Sequence, residues 1–372
     1  MSSVSGDSEI GARVRDRVSK LPYNHREVAE AAGMKADAFS RSLNGQRAFS
    51  AMELAKLWAM FEVDVHWLIT GGADPFRLNV AARHDFDAVT GSRSVPGFRE
   101  DKQTLADIGL AYQQAYRGVA PEVPPNLPEN LEKTRVALGE GFVRPFVDRL
   151  QAAGIDVVRV QELTTSYCFT TTGRHVIVIA ATGNWFRENY ALAHELGHLV
   201  LGHLGVPRKD HERAANAFAA ELLMPADAVA GLDWTYAGPA VVAERLWHLG
   251  VSTDALANRL DALRINVSSD VRESLEQSTQ RLLRRHWTQP MRENSWGRFS
   301  VIVDQITDRM QEAARRRFPK SLEETHMDRI AAGELGKGTL AWMLGIPADA
   351  LEVDAPPATE TWDLDELDAR LS

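Results

Sequence analysis

With 372 residues, 44% of them hydrophobic and 25% charged, the chain has a soluble globular composition and material for two or three domains. Its net charge of −9 excludes a molecule that coats nucleic acid with its whole surface, while leaving room for a local basic patch. Nothing approaches the ~20 consecutive apolar residues of a membrane span, residues 1–7 carry no signal-peptide pattern, and the single Cys168 allows no internal disulfide, so a cytoplasmic protein without membrane contacts is expected.

From residue 8 to residue 72 the pattern is helical. Ile10, Val14 and Val18 recur at helical spacing, amphipathic segments follow around Val28, Ala29 and Ala32, around Phe39 and Leu43, and over 54–61. Gly33, Gly45 and the Gly71-Gly72 pair punctuate them, which predicts about five short helices. Residues 73–130 read as a helical segment around 105–116 and a linker, in which Pro121, Pro124, Pro125 and Pro128 exclude a helix interior. The main domain boundary is expected at that linker. Residues 131–265 read as a helix over 131–153, β-branched strands at Ile155–Val160 and 176–179, then helices at 185–203, 212–223, 240–249 and 253–263. Cys168, in a Thr- and aromatic-rich stretch, reads as a strand residue rather than a nucleophile. Residues 266–353 are helical again, at 271–286, 299–316 and 339–344, and 354–372 reads as a mobile acidic tail. The basic runs at 284–286 and 315–317 read as solvated helix faces. The fold class predicted is mainly α with a small β-sheet: an all-α N-terminal domain, an α+β domain and a helical C-terminal region.

Chemistry concentrates at Ala193-His194-Glu195-Leu196-Gly197-His198, an HExxH spacing inside an apolar helical run. Residues four apart share one helix face, so both imidazoles can reach a single ion. Glu195 projects about 100° around the helix from His194, where it can take a proton from a water polarised by that ion. Burying two imidazoles and a carboxylate without partners would be costly. His203 does not qualify as third ligand: it lies about 140° off the ligand face, and the metzincin spacing places its third histidine six residues after the second, with a glycine at the third position, whereas the glycine here is Gly202.

The next helical segment supplies a candidate. On a wheel, Glu212 falls with Ala215, Asn216, Ala219 and Leu223 on the apolar side, whereas Glu221 falls nearly opposite and reads as a solvated or cap-proximal residue. An inward carboxylate needs a cation or a donor, which selects Glu212 as the third ligand. Asn216, one turn on, either orients a ligand from behind or packs as an ordinary helix residue.

The strand at 176–179, the HExxH helix, and Glu212…Ala215-Asn216…Phe218-Ala219…Leu222-Leu223-Met224-Pro225 in that order closely resemble the ImmA/IrrE family of zinc metallopeptidases over about 131–263. The resemblance implies a zincin-like domain at 131–265, Zn2+ held by His194, His198 and Glu212, and Glu195 as general base. It further implies a protein substrate, a helix-turn-helix repressor whose cleavage releases stress-response or mobile-element genes. Tyr190, one turn before His194, is a weak candidate for stabilising an oxyanion, and packing is its simpler role.

Residues 26–47 resemble an XRE/Cro-type helix-turn-helix, with Gly33 at the turn and Phe39 and Leu43 facing the core. That resemblance implies a DNA operator as partner. Lys35, Asp37, Ser40 and Arg41 would face base edges, and Asn44, Gln46 and Arg47 the phosphates. A module for homodimerisation or repressor docking is the alternative. For the whole chain, the alternative to a peptidase is a transcriptional regulator that uses the zincin fold as a sensor or interaction module.

Overall fold

The computed structural model describes residues 3–20, 23–61, 65–71, 81–82, 85–86, 93–94, 98–116, 127–204, 209–288 and 304–353. The linker residues 117–126 and the acidic tail 354–372 lie outside them. Contacts divide the chain into two units, 1–77 and 78–372.

The first unit contains α1 (Ser3–Val18), α2 (His25–Ala31), α3 (Ala36–Leu43), α4 (Ala51–Phe61) and α5 (Val65–Thr70). Its core gathers Val14, Val18, Val28, Phe39, Leu43, Leu57 and Leu68, the apolar positions of the helical periodicity. Asn24 caps α2 in a capping box with Glu27, satisfying backbone N–H groups at the helix start. Gly33, at φ 73°, turns the chain from α2 into α3, a conformation that costs glycine nothing. Arg13 of α1 donates to the Leu68 and Ile69 carbonyls, which ties α1 to the end of α5.

The second unit opens with three two-residue strands, β1 (Ala81–Ala82), β2 (Asp85–Phe86) and β3 (Arg93–Ser94), and the long helix α6 (Phe98–Tyr116). Then come α7 (Leu131–Leu138), α8 (Phe146–Ala152), β4 (Ile155–Val160), β5 (Tyr167–Thr171), β6 (Arg174–Ala180), α9 (Trp185–Val200) and α10 (Lys209–Leu223). The remainder is helical: α11 (Ala226–Ala230), α12 (Pro239–Leu249), α13 (Thr253–Ala262), α14 (Ser269–Leu275), α15 (Thr279–His286), α16 (Gln305–Ala314), α17 (Lys320–Ala331) and α18 (Gly338–Leu344). The sheet runs β1-β5-β6-β4, with β4 parallel and β5 antiparallel to β6; β2 pairs with β3 separately. Thr172 and Gly173 both have positive φ, which closes the β5–β6 hairpin.

Both faces of the sheet are covered. Ile155, Val157, Ile177 and Ile179 face a core shared with α9, α10 and α12. Val158, Val160, Val176 and Val178 face a second core containing Ile108 and Tyr112 of α6, Leu322 of α17 and Leu340 of α18. Two buried faces explain why β6 reads as a continuous apolar run over 176–180 rather than as an alternation.

Several boundaries differ from the sequence expectation. The main division falls between residues 77 and 78, not at the proline-rich linker. The reason is α6, which the sheet needs as a cover for its second face. Asp101 of α6 is fully buried and accepts from the Thr164 N–H, the Thr164 hydroxyl and the Tyr167 hydroxyl at 2.7–2.8 Å. His326 of α17 meets the Ala111 carbonyl at 2.9 Å, fastening the two covering helices together. Residues 266–353 are not a separate region either, because α14, α15 and α16 join the first core while α17 and α18 join the second. The helix expected over 131–153 is two, parted by Gly139 and Gly141 at positive φ and by Pro145. The one expected over 271–286 breaks between α14 and α15. Arg316 and Arg317 are not on a solvated helix face: they follow α16 in extended chain, partly buried, and Arg317 forms a β-bridge with Arg159.

Candidate metal centre

Helix α9 begins at Asn184, whose side chain accepts from the Arg187 N–H at 3.2 Å, and most of its residues are buried between the sheet and the surrounding helices. Glu188 in its first turn is held by Arg159 of β4 at 2.5 Å, with both side chains nearly inaccessible. Helix α10 packs closely on α9, and Gly197 permits the approach. A Cβ there would lie 3.1–3.2 Å from the Phe218 side chain of α10, tighter than ordinary packing tolerates.

That approach brings Glu212 to the histidines. Its two carboxylate oxygens lie 3.4 Å from His194 Nε2 and 3.4 Å from His198 Nε2, and the two Nε2 atoms are 3.1 Å apart. A tetrahedral zinc ion with bonds of 2.0–2.1 Å separates its ligand atoms by about 3.3–3.4 Å, so these spacings match the edges of such a site. Apart from these imidazole nitrogens, both Glu212 oxygens are buried without a hydrogen-bond partner. Four atoms able to offer lone pairs thus converge on one point, which is the donor set of a bound divalent ion. Among the described residues His194, His198 and Glu212 form the group that can hold a metal.

The outer nitrogen of each imidazole is also engaged. His194 Nδ1 lies 3.1 Å from Asn216 Oδ1, so it donates there and leaves the Nε2 lone pair turned inward. Asn216 is exposed on α10. His198 Nδ1 meets His203 Nδ1 at 3.2 Å, and His203 stacks on His211 with centroids 3.9 Å apart and planes 4° from parallel. His203 is therefore a ligand's neighbour, which helical spacing alone does not reveal. The available signal is Gly202. At φ 69° it closes α9 in a Schellman motif, with His203 N–H bonded to the His198 carbonyl and Gly202 N–H to that of Leu199. This cap folds the residue after the glycine back over the last turn.

Electrostatics follow from the crowding. Burial opposes charge on His194, but its hydrogen bond to Glu212 and the nearby Glu195 carboxylate outweigh burial and hold its pKa above the usual value. Burial likewise opposes charge on Glu212, yet the hydrogen bonds from His194 and His198 bring its carboxyl down to about 2. Burial, with the charges on His211 and His198, lowers His203 to about 4. Glu195 is 2% exposed; burial pushes its carboxyl up, partly countered by the two histidines, and the Cys168 thiol hydrogen-bonds to it. Cys168 itself is wholly buried on β5, with its thiol pushed well above the ordinary range by burial and by Glu195. It is a strand residue held in the thiol form.

His194, Glu195, Tyr190 and Asn216 open onto a cleft of about 840 Å³, whose rim includes Thr165, Arg187 and Arg259. Tyr190 directs its hydroxyl toward the Asn216 carbonyl at 3.5 Å. Glu221 lies outside the group that can hold a metal, partly exposed and at a helix start as the cap-proximal reading expected. It is gripped by Arg135 of α7 and Arg259 of α13 and accepts from the Ala226 N–H at 3.3 Å, capping the next helix.

In the first unit Lys35, Asp37, Ser40, Arg41, Asn44 and Gln46 are exposed on and beside α3, with Arg41 ion-paired to Asp37 at 3.2 Å. Arg47, expected at a phosphate, differs: it forms a two-pronged pair with Glu53 at 2.9 and 3.0 Å and donates to Ser42 at 3.1 Å. Those bonds brace the loop after α3 against α4.

Two imidazoles and a carboxylate around one point, with a further buried carboxylate beside them, make the donor set of a metal-dependent hydrolase. Residues 150–261 match the Peptidase M78 family model, described as the IrrE N-terminal-like domain. The match runs from the end of α8 to α13 and includes every residue of the metal centre. No curated protein and no solved structure matches the chain. No helix among the described residues is long and apolar enough to cross a membrane.

Proposed function

We propose that the chain is a zinc-dependent regulatory endopeptidase of the cytoplasm with its own DNA-binding unit. Its substrate on this reading is a helix-turn-helix repressor controlling stress-response or mobile-element genes. The observation that carries the peptidase reading is the convergence of His194 Nε2, His198 Nε2 and the Glu212 oxygens at 3.1–3.4 Å beside buried Glu195. Zn2+ there would act as a Lewis acid, polarising the scissile carbonyl and acidifying a water molecule. His194, His198 and Glu212 hold the ion, while Asn216 and His203 fix the two imidazoles. The Glu195 carboxylate takes the proton of the attacking water and returns it to the leaving amine, and its raised pKa suits both halves of that exchange. On this reading the substrate segment lies in the cleft of about 840 Å³ onto which His194 and Glu195 open.

The DNA reading rests on the exposed polar edge Lys35, Asp37, Ser40 and Arg41 on the helix after the Gly33 turn, with Asn44 and Gln46 beyond it. A homodimer would place two such helices on an operator.

Glu195→Gln keeps volume and leaves the three ligands in place. Incubated with the repressor encoded beside its gene, wild type should cut and Glu195→Gln should cut at least ~10²-fold more slowly, the scale of losing a general base. Zinc content should be equal. Mass spectrometry of the products reads the outcome: equal cutting by both proteins would remove Glu195 as the general base, and cutting by neither would leave the chain a regulator that uses the zincin fold as a sensor.

A further inference from the structure

A second cavity lies on the far face of the sheet, at the starts of β4 and β6, with a volume of about 970 Å³. Val176 and Val178, which follow Arg174 on its side of β6, face the second core, whereas Ile179 at the other end of the strand faces α9 and the metal cleft. The two cavities are therefore separate sites on opposite faces.

Charge distinguishes this cavity from a solvent-filled gap. Five basic side chains line it against three acidic ones, in a chain whose net charge is −9. Three of the five are already engaged: Arg316 by Glu162, Arg317 by Asp148 and Arg329 by Glu334. Arg174 and Lys320 have no ion-pair partner among the described residues. Arg174 lies over the Tyr116 ring at 3.7 Å, so the ring fixes the guanidinium while the cavity keeps its charge.

Unpaired buried polar atoms gather at the same wall. The Tyr116 hydroxyl, on a residue 4% exposed, has no hydrogen-bond partner, and neither has Arg174 Nε or Asp156 Oδ2. Native interiors leave few such groups unpaired. Two donors and an acceptor at one cavity wall, beside two cations held in no ion pair, call for a ligand that accepts from the first two and offers a hydroxyl or amine to the third.

We propose that this cavity binds a small organic anion, with its carboxylate or phosphate held by Arg174, Lys320 and the Tyr116 hydroxyl and a hydroxyl or amine of the ligand on Asp156. Water satisfies the unpaired atoms individually, whereas an oxyanion meets Arg174, Lys320 and the Tyr116 hydroxyl at once through charge-assisted hydrogen bonds. The site does not depend on the peptidase reading, because none of its residues belongs to the metal centre.

Calorimetric titration of the full chain with inorganic phosphate, and separately with succinate, tests this. At least one probe should saturate below ~10 mM, and Arg174→Gln should weaken it at least about tenfold, as expected for losing a charged hydrogen-bond donor. Tyr116→Phe should weaken it several-fold without altering shape, and it decides the matter should Arg174→Gln fold poorly. Arg284→Gln, on an exposed face of α15, should change nothing. Which probe binds identifies the acidic group. Saturation by neither probe, equal loss in the Arg284→Gln control, or binding indifferent to both Arg174→Gln and Tyr116→Phe would each overturn the proposal. The last result would place the anion at the metal centre instead.

Discussion

Asn216→Ala probes whether the neighbours of the ligands matter. His194 Nδ1 sits 3.1 Å from Asn216 Oδ1, with no other acceptor at that nitrogen among the described residues. Removing such a partner from a zinc-bound histidine typically costs ten- to a hundredfold in metal affinity, because the ring loses its tautomer lock and some basicity. Asn216 is exposed, so water can move in and serve as a substitute acceptor. The loss should therefore sit at the low end, about tenfold or ~1.4 kcal/mol. Stability should hardly change, since the Asn216 side chain is itself exposed and α10 is anchored by buried Ala215, Phe218, Ala219 and Leu222. Asn216→Asp keeps the acceptor and adds charge, so its affinity should equal or exceed that of wild type. Chelator competition for zinc measures all three proteins. Wild-type affinity in Asn216→Ala, or an equal loss in Asn216→Asp, would refute the assignment of Asn216 as an orienting acceptor.

Arg159→Met should destabilise the second unit by about 3 kcal/mol in urea denaturation, because it strands the Glu188 carboxylate at 5% exposure, whereas adding Glu188→Leu should recover most of that loss. A single substitution as mild as the double one would mean the pair is structurally idle. Metal affinity should fall as pH is lowered from about 8 to about 6, because a proton competes for His194, whose pKa lies above its usual value, in the metal-free protein. Glu212, titrating near 2, adds nothing to that slope, so a flat chelator-competition profile would contradict the electrostatics. For the first unit, Arg41→Ala should reduce discrimination between operator and random duplex by about 1–3 kcal/mol in mobility-shift titrations, and unchanged discrimination would favour a docking role.

The parts of the site that were legible in the sequence are those that a single helix determines. His194 and His198 share a face because they are four apart, and Glu212 turns inward because α10 has one apolar side. His203 escaped because its position depends on how α9 ends: a spacing of five points away from the ligand face, and only the reversal at Gly202 brings the ring back to His198. Arg47 escaped for a related reason. Its exposure follows from the loop, but its engagement depends on Glu53 in the next helix.

At the level of the fold the same division holds, with larger consequences. Amphipathic patterns located part of α6 and the regions of α14, α15, α16 and α18, though not α17, without saying what they cover, since periodicity specifies the buried side of a helix and not its partner. The run at 176–179 held a clue, because a strand apolar at successive positions is covered on both faces. A sheet carrying the metal helix on one face therefore required a second helical layer, and the N-terminal α6 and C-terminal α17 and α18 supply it. That requirement is why residues on both sides of the M78 match belong to the same unit as the metal centre. It also places the anion cavity among groups from α6, β4, β6 and the start of α17, where the covering layer meets the sheet.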